Sequence, residues 1–356
     1  MNVTPRHEPA AILDRSGRDF ADLPEDGSPL LLVTIDTEEE FDWSLPLARS
    51  NTAVRSIGAQ HRAQDIFDAH GVVPTYLVDY PVASDEEAVA VLRGFLADGR
   101  CEIGAHLHPW VNPPHEEQVN PYNSYPGNLA APLERAKLEC LTETIERNFG
   151  LRPTAYRAGR YGVGPATADI LEGLGYQVDL SIVPYTSFSE DGGPDFAAFE
   201  ARPYWFGDER RLLEVPVSCG FAGGLAGWGA ALFPVLAGRL GMTLRVPGVA
   251  ARLGLLERIR LTPEGIDHAA HRRLTRRLLD QGRRVFCLTY HSPSLEPGNT
   301  PYVRDEGELR GFLDTIDRYL DYFFTEVGGR PTTPTALYGM LASQTHSVSY
   351  APDAQI

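Results

Sequence analysis

Two short stretches hold most of the side chains able to do chemistry. In the first, Thr34-Ile35-Asp36-Thr37-Glu38-Glu39-Glu40-Phe41-Asp42, an apolar run ends in five carboxylates. Crowding them costs repulsion unless a metal ion, a cationic substrate or an arginine sits among them. Asp36 and Glu38 are separated by one residue near a strand end. Side chains alternate along a strand, so these two face one side and can share a cation. Glu39, Glu40 and Asp42 read as loop or rim residues. In the second stretch, Glu102-Ile103-Gly104-Ala105-His106-Leu107-His108-Pro109-Trp110, the H-x-H spacing again puts both imidazoles on one face. Neutral imidazole suits zinc or another first-row divalent ion. Two histidines and one carboxylate, with a position left for water, have the composition of a hydrolytic metal site. The competing reading is a solvated acidic turn beside hydrogen-bonded structural histidines.

Two further residues complete the set. Arg157, in Ala155-Tyr156-Arg157-Ala158-Gly159-Arg160-Tyr161-Gly162, is a candidate to hold Asp36 ionised and oriented, or else forms an ordinary surface ion pair. His291, in Cys287-Leu288-Thr289-Tyr290-His291-Ser292-Pro293, is a candidate general acid delivered by a distant strand.

Positioning these residues requires strands. Apolar runs predict strands at Leu30–Asp36, Pro74–Val78, Cys101–His106, Thr154–Arg157, Gln177–Ile182, Leu212–Val217 and Arg284–Tyr290. Helical patterns fall near 57–69, 84–97, 131–149, 164–174, 266–282 and 306–324. The 131–149 helix is the clearest, with Leu133, Leu141, Ile145 and Phe149 near four-residue spacing and Gly150 at its end. Regular alternation predicts an α/β fold, an incomplete or distorted (β/α) barrel of about seven parallel strands with a helical insertion. In such a barrel, function gathers at the carboxyl ends of the strands. Residues 1–28 read as an N-terminal arm, 29–345 as the barrel domain, and 346–356 as a weakly ordered tail.

Two regions interrupt the alternation. Residues 111–130 form a Pro/Asn/Tyr-rich loop whose tyrosines either stack on a sugar or pack the loop down. The insertion, about 221–262, opens with eighteen residues, Phe221–Gly238, that carry no charge. A membrane span and an interfacial segment beside a lipid-linked substrate are both open readings. Five glycines, Pro234 and Arg239 favour an inserted helical pair covering one side of the barrel.

Composition bounds the function class. The chain has 356 residues, 43% hydrophobic and 22% charged, enough for a sizeable core. Its net charge is −16, from 48 acidic and 32 basic residues, which disfavours nucleic acid and anionic membrane surfaces. Cys101, Cys140, Cys219 and Cys287 are scattered, with no C-x-x-C pair, so neither a disulfide framework nor a structural zinc site is expected from them. The polar start holds no signal core, and a cytoplasmic location is the default expectation.

The order of the motifs TIDTEEEFDW, EIGAHLHPW, YRAGRYG and LTYHSPS resembles that of the polysaccharide deacetylases, the chitooligosaccharide-deacetylase homology domain. It is most similar to the divergent branch found in bacterial surface-polysaccharide gene clusters. The resemblance spans roughly residues 29–325. It implies an incomplete barrel, one divalent metal, zinc by preference, and a metal-activated water that attacks an N-acetyl carbonyl. Asp36 would match the base, Arg157 its partner, His106 the first metal histidine and His291 the acid. A backbone N–H near Arg160 or Tyr161 would help stabilise the oxyanion. Trp110, Arg160 and Tyr161 are the expected substrate-binding residues, and the substrate an N-acetylated carbohydrate or glycolipid.

Two departures stand out. Thr37 occupies the register of the family's metal aspartate, so that role passes to Glu38, which shares a face with Asp36. Trp110 occupies the position of the second metal histidine, so His108 takes that role, with His115 in reserve. Two alternatives follow: hydrolysis of a non-sugar amide at the same site, or a catalytically degenerate barrel that only binds carbohydrate or a protein partner.

Overall fold

In the computed structural model of the chain, residues 12–14, 18–24, 27–208, 211–238, 243 and 245–348 are described. Among these residues twelve strands are formed: β1 (Asp19–Phe20), β2 (Leu30–Thr37), β3 (Thr75–Val78), β4 (Glu102–Leu107), β5 (Ala155–Ala158), β6 (Val178–Asp179), β7 (Tyr204–Phe206), β8 (Leu212–Glu214), β9 (Cys219–Ala222), β10 (Glu257–Arg260), β11 (Val285–His291) and β12 (Arg330–Pro331). The main sheet runs β1-β7-β8-β6-β5-β4-β3-β2-β11, with β12 beside β2. The seven strands expected from sequence are the seven joined by consecutive parallel pairings, from β11 through β2 to β8. To these the structure adds an antiparallel edge, β7 and β1, and a separate β9–β10 ribbon.

Among the described residues no ladder joins β11 to β8. That side is bridged by single bonds instead: Ser218 N donates to Cys287 O (3.3 Å) and Thr289 N to Leu261 O (3.1 Å). Two strands are shorter than the sequence suggests. β8 stops before Pro216, which has no N–H to give a ladder. β6 stops where the Asp179 side chain captures the Ser181 N–H (2.9 Å).

Helices at His61–Ala69, Glu86–Ala97, Ala131–Phe149, Thr167–Leu174, His268–Asp280 and Glu306–Asp321 correspond to the six expected. Their ends have local causes. Asp85, Asp267 and Asp305 each accept a backbone N–H from the first turn of the helix that follows. Gly150 closes the longest helix at φ 76°, a left-handed conformation that costs glycine little.

Parity along the strands divides the core into two faces. Leu31, Val33 and Ile35 of β2 join the larger cluster, with helix residues such as Phe67, Leu92, Leu141 and Ile316. Leu30 and Leu32 join the smaller, with Leu77, Ala155, Leu180, Leu213 and Val285. Asp36 shares its parity with Leu30 and Leu32, and therefore tops this second face.

Among the described residues the insertion is the β9–β10 ribbon carrying two short helices, Gly229–Leu236 and Val246–Arg252. Ala230, Ala231, Leu232, Pro234 and Val235 of the first helix and Val249 and Arg252 of the second are exposed, so much of the pair faces solvent. No helix among the described residues is long and apolar enough to cross a membrane. Part of the segment before residue 28 is built into the fold: β1 pairs with β7, and Tyr204 Oη donates to Ile12 O (2.8 Å). The last helix continues to Val348, and the rest of the expected tail lies outside the described residues. All four cysteines are free.

Candidate metal centre and catalytic site

Parallel register assembles the site. In the β11–β2 pair His291 stands opposite Asp36, and in the β4–β5 pair His106 stands opposite Arg157. All four lie at or next to the carboxyl ends of adjacent strands. Asp36, Glu38, His106, His108 and His291 line one cavity of about 620 Å³, together with Trp110, Arg160 and Tyr161. Of the expected site residues, only Arg157 and the reserve ligand His115 do not line this cavity. Arg157 lies fully buried behind Asp36.

Asp36 and Arg157 form a buried ion pair, with Nη1 donating to Oδ1. The guanidinium is held from several sides, donating also to Thr289 Oγ1 (2.9 Å), Thr34 Oγ1 (2.9 Å) and Leu180 O (2.8 Å). Burial pushes the Asp36 carboxyl up, but the charges of Arg157, His106 and His291 outweigh it and hold the group below its ordinary range. Asp36 is thus kept as an anion inside the protein.

Glu38 Oε2 lies 3.4 Å from His106 Nε2 and 3.5 Å from His108 Nε2. The far nitrogens of the two rings are already engaged. His106 Nδ1 donates to Arg157 O (3.0 Å), and His108 Nδ1 donates to Glu39 Oε2 (2.7 Å). Each neutral ring then turns the lone pair of its Nε2 toward Glu38. Three electron-pair donors converge, buried, within 4.8 Å of one another. Burial pushes Glu38 up to about 7 and His108 down to about 4, so charge is costly here without a compensating cation. A divalent ion supplies that cation, and the donor set fits it. His115 is exposed in its loop and lies outside this group.

Glu39 corrects the sequence reading. Far from standing on a rim, it is fully buried, and it accepts from both His108 and Trp110 Nε1 (2.7 Å). Trp110 also stacks on the His108 ring at 4.2 Å between centroids. Trp110 thus braces His108 through Glu39. Buried Asp79 accepts the Glu39 N–H (2.9 Å) and caps the helix Tyr80–Ser84 through Val82 N (2.9 Å). Burial and the nearby Glu39 charge push Asp79 far up.

Sequence reasoning also passed over Glu264, which lies just beyond the insertion. Its Oε2 accepts from His291 Nδ1 (2.8 Å), and its Oε1 from His291 N (3.1 Å) and Ser294 Oγ (2.7 Å). Burial would lower the His291 pKa. The carboxylates of Glu264, Glu38 and Asp36 overcome that and raise it to about 10. His291 Nε2 stands 3.7 Å from Asp36 Oδ2, inside the cavity. The signal available for Glu39, Asp79 and Glu264 was arithmetic: a buried histidine cluster needs carboxylates to orient it.

The remaining wall is mostly apolar, with Phe41, Trp43, Leu45, Pro46, Leu47, Phe188 and Tyr302. Arg160 pairs with Asp191 (2.9 Å) and lies over the Tyr125 ring at 4.3 Å. Arg160 and Tyr161 both have positive φ, 52° and 59°, an uncommon pair for non-glycine residues. In the 111–130 loop Tyr125 is fully buried and packs the loop down, whereas Tyr122 is exposed.

No protein-family profile matches the chain, and no curated protein matches it. Solved structures do. A Mycobacterium smegmatis protein assigned as a polysaccharide deacetylase is 17% identical, with 95% of this chain and 98% of that one covered at a TM-score of 0.50. Peptidoglycan deacetylase PdaC from Bacillus subtilis is 12% identical over 94% and 100%, with a TM-score of 0.43. BA3943, a CE4 family pseudoenzyme from Bacillus anthracis, is 9% identical over 87% and 66%, with a TM-score of 0.41. The chain therefore has the polysaccharide deacetylase fold, a structural relationship held at low sequence identity.

Proposed function

We propose that this chain is a metal-dependent deacetylase acting on an N-acetylated sugar or polysaccharide precursor. One observation carries the reading. A buried three-donor group, Glu38, His106 and His108, opens into a cavity that Asp36, paired with Arg157, and His291, paired with Glu264, also line. Bound there, a divalent ion, zinc by the character of the donors, supplies Lewis acidity that acidifies a water and polarises a carbonyl. Asp36, kept anionic by Arg157, accepts the proton of the attacking water. His291, kept cationic by Glu264, donates a proton to the amine nitrogen as the C–N bond breaks, leaving acetate and a free amino sugar. The Arg160–Tyr161 turn offers backbone N–H groups to the carbonyl oxygen as it gains charge. The apolar wall suits the faces of sugar rings and keeps bulk water from the reacting centre.

The test is acetate release from a panel of N-acetylated oligosaccharides and simple acetamides. The reading predicts turnover of the sugars, abolished by chelation and restored by a divalent ion. Undiminished turnover after complete metal removal would exclude it, and turnover of the acetamides alone would move the substrate outside carbohydrates.

A further inference from the structure

We propose that the β9–β10 insertion is a membrane-docking surface for anionic bilayers. The insertion exposes large apolar side chains, on its two short helices and beside them, that an ordinary surface would not. Trp228 is 70% exposed, Val235 77% and Leu253 67%, with Leu225 and Val249 also exposed. The two arms are joined. Gly224 N donates to Gly254 O (2.9 Å) and Leu225 N to Leu255 O (2.8 Å), tying the two arms of the insertion at their base. A tryptophan among aliphatic side chains is the composition of a segment that settles at a membrane–water interface.

Charge selects the occupant. The chain carries −16 overall, yet the 42 residues Val215–Leu256 hold no Asp or Glu and three arginines. Arg245 and Arg252 are exposed on this insertion. The net charge, which argues against anionic surfaces for the molecule as a whole, is thus locally reversed. At about 0.1 M salt, charges more than about 10 Å away are largely screened, so the local sign governs contact. A second copy of the chain is a poorer occupant, because two-fold pairing would set arginines against arginines. Anionic lipid headgroups offer the complementary charge, and the acyl boundary takes the apolar tips.

The insertion also connects to the site. Strand β10 ends at Arg260, which lines the catalytic cavity, and Glu257 to Arg260 spans only about 10 Å. Docking would hold the cavity mouth beside the bilayer, where an N-acetylated sugar carried on a lipid would be presented.

The experiment is flotation of the full chain with vesicles of phosphatidylcholine containing phosphatidylglycerol, alongside pure phosphatidylcholine. It needs neither metal nor turnover, so its outcome is independent of the proposed chemistry. The expected result is co-flotation with the anionic vesicles, weakened about tenfold or more by the double substitution R245E/R252E and by added salt. A blue shift of tryptophan emission on vesicle binding should be lost in Trp228→Phe. That variant touches only an exposed side chain, so it keeps the fold if R245E/R252E does not. Absence of flotation, or flotation unaffected by both variants, overturns the proposal. So does a concentration-dependent dimer abolished by Trp228→Phe, which would make this face a subunit interface.

Discussion

At the scale of single residues, His108 depends on a partner that itself depends on Trp110. Replacing Trp110 with Phe keeps the stacking surface but removes the indole N–H from Glu39. Metal affinity, measured by competition with a chelator, should then fall by about 10–100-fold, the range for lost support of a ligating histidine. Unchanged affinity would show that Trp110 is only packing. The acid makes a second prediction. His291 is raised above the ordinary imidazole value of about 6.5, so its proton is present below the raised pKa and lost as pH climbs through it. The alkaline limb of kcat/KM should therefore lie well above neutrality in the native chain. Glu264→Gln removes one of the carboxylates that raise it, and should move that limb to lower pH; a limb that stays in place would remove His291 from the acid role.

At the scale of elements, strand period and parallel register explain why six residues picked from sequence come together in the candidate site. Asp36, Glu38, His106, His108, Arg157 and His291 each lie in or just past an apolar strand, and neighbouring parallel strands bring their carboxyl ends together. Glu39 was not legible in the same way. Its neighbours look like a solvated acidic turn, and its partners His108 and Trp110 lie 69 and 71 residues further along the chain. Glu264 follows the ribbon in a turn without any spacing signature, and the short β6 and β8 owe their ends to side-chain capture and proline rather than to hydrophobic pattern. Two predictions belong here. A methyl group at Gly159 would collide with the Leu107 carbonyl and the His108 ring, so Gly159→Ala should lower metal affinity and thermal stability together. Glu134 sits at the junction of the helices Ala131–Phe149 and Thr167–Leu174, accepting from Thr167 Oγ1 (2.7 Å), and burial raises it to about 7. Between its ordinary value and 7 the unfolded chain gives up this proton first, so folding stability falls as pH rises through that window. Glu134→Gln should thus raise the melting temperature at pH 8 relative to wild type more than at pH 4. An equal effect at both would show that Glu134 does not titrate in this range.

At the scale of the whole molecule, the main sheet is mostly parallel and its two faces do different work. One face packs against helices, while the other carries leucines below and charged ligands above, so a single change of parity in β2 or β4 would turn the site into the core. Arg157 links these levels, because it lies below the site and balances a buried carboxylate. Arg157→Met should lower unfolding free energy by about 3–5 kcal/mol, since Asp36 would be left as an unpaired buried charge; denaturant titration reads this directly, and a loss below about 1 kcal/mol would contradict the pairing. The insertion was legible as an uncharged run and a helical pair, but the exposure of its apolar side chains was not, because sequence periodicity does not report how much of a helix is covered. The most direct measurement of the central claim is anomalous diffraction from crystals grown with zinc. A single strong peak about 2.0–2.2 Å from Glu38 and from the Nε2 atoms of His106 and His108 is the predicted result. A peak on His115 or elsewhere, or none at those three residues while acetate release continues, would contradict it.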